Sequence, residues 1–129
     1  VIFISIVGNS TYKNTSINYA SKEQLLLMLV DGAVRYVKQG KDAIINKDMG
    51  KAHIALIKCQ DIFSELMISL DTSNNQWADN LYMVYAFIKE KLVEANLKKN
   101  IDVIDDIMPL IEEIRNTWYA AYKASIGSR

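Results

Sequence analysis

The stretch Asn80–Asn96, NLYMVYAFIKEKLVEAN, limits what this chain can fold into more than any other. An unbroken apolar and aromatic run, Leu81 to Ile88, leads into the charged turn Lys89-Glu90-Lys91. At the helical spacing of about 100° per residue, Leu81, Val84, Tyr85, Ile88, Leu92 and Ala95 share one face, the stripe that a surface helix buries. Tyr82, Met83, Ala86, Phe87 and Val93 point roughly the other way, where a bundle helix usually carries Lys and Glu. Two readings account for that surplus. The helix is packed by neighbours on several sides, or its back wall is an apolar groove for a second protein.

The flanking sequence supplies the partners for such a helix. Ser21-Lys22-Glu23-Gln24 has the spacing of a capping box, and a helix is predicted from about Lys22 to Asn46. Its inner face is Leu25, Met28, Leu29, Gly32, Tyr36 and Ala43, while Leu26, Leu27 and Val30 fall off that stripe as a further apolar surplus. Gly32 costs a helix ~1 kcal/mol relative to Ala, which a tight crossing against another backbone would explain. A second helix is predicted from about Lys51 to Leu70, with Ala52, Ala55, Cys59, Ile62, Phe63, Leu66 and Leu70 as its stripe. Asn74 or Asn75 can cap the third, which carries Trp77 near its start and ends near Asn96. The fourth places Ile101, Ile104, Met108, Ile111, Ile114, Trp118 and Tyr122 inward, with Pro109 bending its middle. Asp102, Asp105, Asp106, Glu112 and Glu113 form its solvated face. Only five Gly and one Pro interrupt the chain, so the turns are short. The expected fold is all-α, an antiparallel four-helix bundle over residues 21–125, with an N-terminal extension and strap over 1–20 and a frayed tail over 126–129.

Composition removes whole classes of function. Fifteen Lys plus Arg balance fifteen Asp plus Glu, leaving no global field to hold phosphate backbones or anionic lipid. Nucleic acid and membrane insertion are therefore not expected. Val1–Val7, VIFISIV, is too short to span a bilayer, which takes ~20 residues, and lacks the basic start of a secretory signal. The single Cys59 fits a reducing compartment and sits at core spacing, a small buried hydrophobe. His53 is the only His, without a Glu three residues before it, so the Glu-x-x-His ligand pair of di-iron bundles is absent. No Gly-rich phosphate loop or Ser-His-Asp set can be assembled. The chain reads as a non-enzyme with no cofactor and no metal.

Tyr12-Lys13-Asn14-Thr15-Ser16-Ile17-Asn18-Tyr19-Ala20-Ser21, followed by Glu23-Gln24-Leu25-Leu26-Leu27-Met28-Leu29-Val30-Asp31-Gly32, resembles the start of the flagellin-specific export chaperone family, FliS. That family shows a Tyr, a Thr-Ala-Ser-Pro helix start, then Leu-x-x-Met-Leu-Tyr-Asp-Gly. Asn80-Leu81-Tyr82-x-x-Tyr85, Leu92-x-x-Ala95-Asn96 and Ile114-Arg115-x-x-Trp118 resemble its third and fourth helices. The resemblance runs from Tyr12 to about Tyr119. Lys22 stands where the family has Pro, Val30 where it has Tyr, and Asn74-Asn75 where it has a Gly-rich turn.

The resemblance implies a cytosolic chaperone that binds the C-terminal segment of flagellin, prevents premature polymerisation and hands the subunit to the flagellar type III secretion apparatus. An export-gate component or a regulatory protein is its candidate second partner. The competing reading is a self-associating bundle that buries the same surplus against a second copy. Candidate client-contacting residues are Tyr12, Ile17, Tyr82, Met83, Ala86 and Phe87. Leu81, Tyr85, Leu92, Ala95 and Trp118 match the family pattern too, but their spacing suits core as well as contact. Tyr12, Ile17 and Tyr19 are anchors spaced for an extended strap, which covers part of the groove until the client displaces it. Deleting Val1–Tyr19 is then expected to change client affinity or solubility. Unchanged values for both, with full hydrogen exchange of the segment in the free protein, would rule the strap out.

Overall fold

Amphipathic segments separated by short polar turns bury their stripes most simply side by side, each running opposite to its neighbours. The computed structural model, which describes residues 21–73 and 75–127, is built this way. α1 spans Lys22–Ile45, α2 Met49–Ser69, α3 Gln76–Lys98 and α4 Ile101–Gly127, with no strand among the described residues. α1 packs on α2 and α4, and α3 packs on the same two from the opposite corner, through its thinnest seam with α4. The strap with its anchors Tyr12 and Ile17 lies outside the described residues.

Each helix start has a side chain that satisfies its free N–H groups. Ser21 Oγ accepts from the Gln24 N–H at 3.1 Å while Gln24 Oε1 accepts from the Ser21 N–H at 2.9 Å, completing the capping box. Asp48 accepts from the Lys51 N–H at 3.1 Å, so α2 begins at Met49, ahead of the expected Lys51. Asn75 accepts from the N–H groups of Trp77 and Ala78 at 3.0 and 3.3 Å. α3 ends where Lys99 turns left-handed at φ 50° and the Asn100 N–H donates to the Ala95 carbonyl at 3.2 Å. α4 stays one helix through Pro109 and takes in Ile126 and Gly127, where the sequence suggested a frayed tail.

One core runs through all four helices, with Val37, Leu56, Phe63, Tyr85, Ile88, Leu92, Ile104 and Ile111 buried in it. α1 buries a wider arc than a single stripe because it touches two neighbours. Leu27 and Val30, surplus by periodicity, are therefore buried, while Leu25 and Met28 sit half-buried at the edge. Cys59 is fully enclosed and its thiol donates to the Ala33 carbonyl at 3.4 Å. Burial pushes that thiol far above its ordinary range, so it is inert as a nucleophile. On the α1–α4 side, Lys41 pairs with Asp105 at 2.7 Å and Lys38 with Glu112 at 3.5 Å. Such part-exposed pairs contribute ~0–1 kcal/mol each.

The α1–α2 crossing is set by glycine, and its tightest point is Gly40 rather than Gly32. A Cβ at Gly40 would lie 2.7 Å from Leu56 Cδ2 and 2.9 Å from its Cγ, against 3.0 Å from Ile62 Cδ1 at Gly32. Leu56 is fully buried and has nowhere to retreat. Gly40→Ala is expected to lose ~1–3 kcal/mol to overpacking, outweighing the helix-propensity gain of up to ~1 kcal/mol. Gly50→Ala, in open space at the start of α2, is expected to be neutral or slightly stabilising. Urea unfolding of the two variants beside the parent chain checks both signs.

Candidate partner-docking site

The orientation of α3 decides what the bundle leaves uncovered. Ala78, Tyr85, Ile88, Leu92, Ala95 and Asn96 are its buried residues, which fixes the helix about its own axis. Tyr85 is the strongest anchor. It is 1% exposed, its hydroxyl accepts from Trp118 Nε1 of α4 at 2.9 Å, and its ring meets Phe63 of α2 edge-on, centroids 5.9 Å apart. Trp77 in turn lies edge-on to Trp118 at 5.8 Å. α2 and α4 thus close on α3 from one side only.

The other side stays open. Met83 is 68% exposed and Phe87 47%, with Tyr82, Val93 and Leu97 also exposed and Ala86 half-buried between them. The Lys91 ammonium lies over the exposed Phe87 ring, 5.8 Å from its centroid. Where α3 meets α4 a cleft of about 270 Å³ opens, its apolar walls made by Trp77, Leu81, Val84, Leu110, Ile114 and Trp118. A larger hollow of about 490 Å³ lies towards the same end of the bundle but in another corner, between the first turns of α1 (Leu25, Leu26, Leu29) and Glu65 and Ser69 of α2. Of the apolar surplus at the start of α1, Leu26 lines that hollow, beside Leu25 and Leu29 of the inner face.

Of the candidate contact residues, the structure brings Tyr82, Met83, Ala86 and Phe87 onto one uncovered face, while Tyr12 and Ile17 lie outside the described residues. Val84, placed with the core stripe by its spacing, is exposed at the lip of the α3–α4 cleft. It sits at the margin of a face whose centre is Tyr85 and Leu92. Sequence reasoning missed Leu97, because the helix runs on to Lys98 beyond its expected end. It also missed the exposed α2 residues Ile54 and Ile68. Their signal was their position opposite the Ala52-Ala55-Cys59-Ile62 stripe.

No group of His, Cys, Asp and Glu side chains suited to a metal ion occurs among the described residues. None of their helices is long and apolar enough to cross a membrane. The described residues thus form an all-α four-helix bundle whose third helix keeps an apolar back. The family model described as flagellar protein FliS matches residues 7–125, and the chain belongs to that family. It is similar to the flagellar secretion chaperone FliS of Bacillus subtilis (strain 168), with 28% identity over 120 residues covering 93% of this chain and 90% of that one. The Vibrio cholerae protein of the same name is 30% identical over 112 residues, 83% of this chain and 82% of the relative. The Escherichia coli (strain K12) protein is 29% identical over 102 residues, 77% and 74% of the two chains. The relatives carry the name of chaperones, and the chain is not an enzyme.

Tyr85 also gives the bundle a pH signature. Burial raises its hydroxyl to about 12, with the Trp118 hydrogen bond pulling the other way. The folded state then holds this proton after the unfolded chain has lost it at pH ~10. Stability from this group is present below pH ~10 and is lost as pH rises towards the folded value. Tyr119 adds in the same sense, because its hydroxyl donates to Asp31 at 2.5 Å. Tyr85→Phe is expected to flatten the fall in urea midpoint between pH 9 and 11 (roughly the span of tyrosine ionisation) relative to the parent chain.

Proposed function

We propose that the chain is a cytosolic flagellar export chaperone that binds the C-terminal segment of flagellin, prevents premature polymerisation and delivers it to the flagellar type III secretion apparatus. The observation that carries this reading is the uncovered apolar back of α3, in a family whose relatives are named flagellar secretion chaperones. Tyr82, Met83, Ala86 and Phe87 contact the client there. Tyr12 and Ile17 contribute from an N-terminal strap that the client displaces, and residues 21–125 act as the bundle unit. A client disordered before capture folds on the groove as amphipathic segments. Such coupled folding buries ~1,000–3,000 Å² and spends ~2–5 kcal/mol on ordering, so capture is firm and still reversible. An export-gate component or a regulator is the second partner. The balanced charge gives no field for nucleic acid, and a single thiol sealed in the core suits the reducing cytosol.

Calorimetric titration with a flagellin C-terminal peptide is expected to give a one-to-one complex whose helicity rises on mixing. Phe87→Glu is expected to weaken it by about ten- to a hundred-fold, since one hot-spot side chain is worth ~2 kcal/mol or more, with the circular dichroism of the free protein unchanged. Equal affinity of parent and variant would refute the assignment of the face. Light scattering of the free protein tests the competing occupant, because a second copy on the same face would appear as a dimer without any client.

A further inference from the structure

α2 and α3 lie antiparallel, and one cross-helix hydrogen bond fixes their register, His53 Nδ1 against Asn96 Nδ2 at 2.9 Å. Carried along the two helices at ~1.5 Å per residue, that register sets Ile57, Asp61 and Ile68 within about one residue of the levels of Val93, Lys89 and Tyr82. The outer edge of the seam is therefore apolar at both ends and charged in the middle. Val93, Ile68 and Tyr82 are exposed there and Ile57 is half-buried. Asp61 and Lys89 are half-buried and feel each other's charge, yet they do not close into a direct ion pair. Burial pushes the Asp61 carboxyl above its ordinary range, and the Lys89 ammonium only partly restores it.

We propose that Asp61 and Lys89 form a polar crossbar that reads one carboxamide side chain, Asn or Gln, in an amphipathic client helix lying along the α2–α3 seam. A docked segment strips the remaining water from both charges, which is costly unless each finds a new hydrogen bond. An apolar side chain offers neither bond. A carboxylate or an ammonium satisfies one charge and leaves the other unpaired. A hydroxyl must serve both partners from a single atom. A carboxamide divides the roles, its N–H donating to Asp61 and its carbonyl accepting from the Lys89 ammonium, and it adds no charge of its own. The apolar ends fix where that side chain sits in the client. Bulky apolar residues stand one turn to one side of it, against Ile57 and Val93, and two turns to the other, against Ile68 and Tyr82. The crossbar rests on the client reading above and deepens it, adding register to an otherwise greasy contact.

The test uses designed helical peptides of about 18 residues, ~27 Å long, with Leu at the two apolar levels and Gln, Leu, Glu or Lys between them, beside the flagellin C-terminal peptide. The Gln peptide is expected to bind about ten-fold tighter than the other three, the size of a hydrogen bond to a charged group. Asp61→Ala and Lys89→Met are each expected to erase that preference while leaving the Leu peptide no weaker. The exchange Asp61→Lys with Lys89→Asp is expected to restore it, because a carboxamide can turn over and a charge cannot. Equal binding of the four peptides to the parent chain, or a preference that survives both single variants, overturns the crossbar. A Gln preference without any binding of the flagellin peptide leaves the crossbar standing and removes flagellin as the client.

Discussion

The uncovered apolar face of α3 depends on how that helix is held. Tyr85 is gripped from two directions, by the indole of Trp118 and the ring edge of Phe63, and so cannot roll outward without taking the acceptor from the Trp118 N–H and emptying the space beside Phe63. A turn of the helix by one residue would bury Met83 or Phe87 and expose part of the core. A polar clasp inside an apolar core therefore keeps an apolar surface outside. The hydrogen bond alone contributes ~1 kcal/mol, but its directionality sets the rotation that non-directional packing would leave loose.

The remaining corners of the square follow from that constraint. α1 meets both of its neighbours over a wide arc and has glycine where α2 crosses it, so the α1–α2 seam is tight at Gly32 and Gly40 and opens only at its end, beside Leu25, Leu26 and Leu29. α3 meets α4 through the thinnest seam, and the cleft beneath Trp77 and Val84 opens there. Both openings lie towards the end where α1 and α3 begin, away from the Gly40 crossing.

Helix number, order and the caps of α1 and α3 were legible in the sequence, because each depends on local chemistry, while the Asp48 cap of α2 was not read. The Ser21–Gln24 box and the Asn75 cap work within one turn of chain, and Cys59 lies in the middle of an unbroken apolar repeat. What a residue does at the edge of a stripe was not legible. Leu27 and Val30 are buried and Val84 is exposed for reasons that lie on other helices, and a single-helix projection contains no neighbours. The same limit explains why Gly32, which does lie close against α2, was singled out while the tighter Gly40 went unnamed. Both glycines have the right character, but only the crossing point of α2 decides which meets Leu56. The apolar back of α3 was visible for the opposite reason. A surplus needs no partner to be counted, only a tally of greasy side chains on each side of one helix. Tyr12 and Ile17 gain nothing from that tally, since a strap has no period to read.

The sealed thiol of Cys59 has a practical side. It is the only sulfhydryl in the chain, it lies wholly inside the protein, and its proton is held far more tightly than that of a free cysteine. Maleimide chemistry on the folded protein will therefore pass over it. A cysteine placed on the outer surface can then carry a dye, a spin label or a crosslinker as the sole modified position, with the native sulfur left in place. Distances and capture kinetics become measurable in an otherwise wild-type molecule.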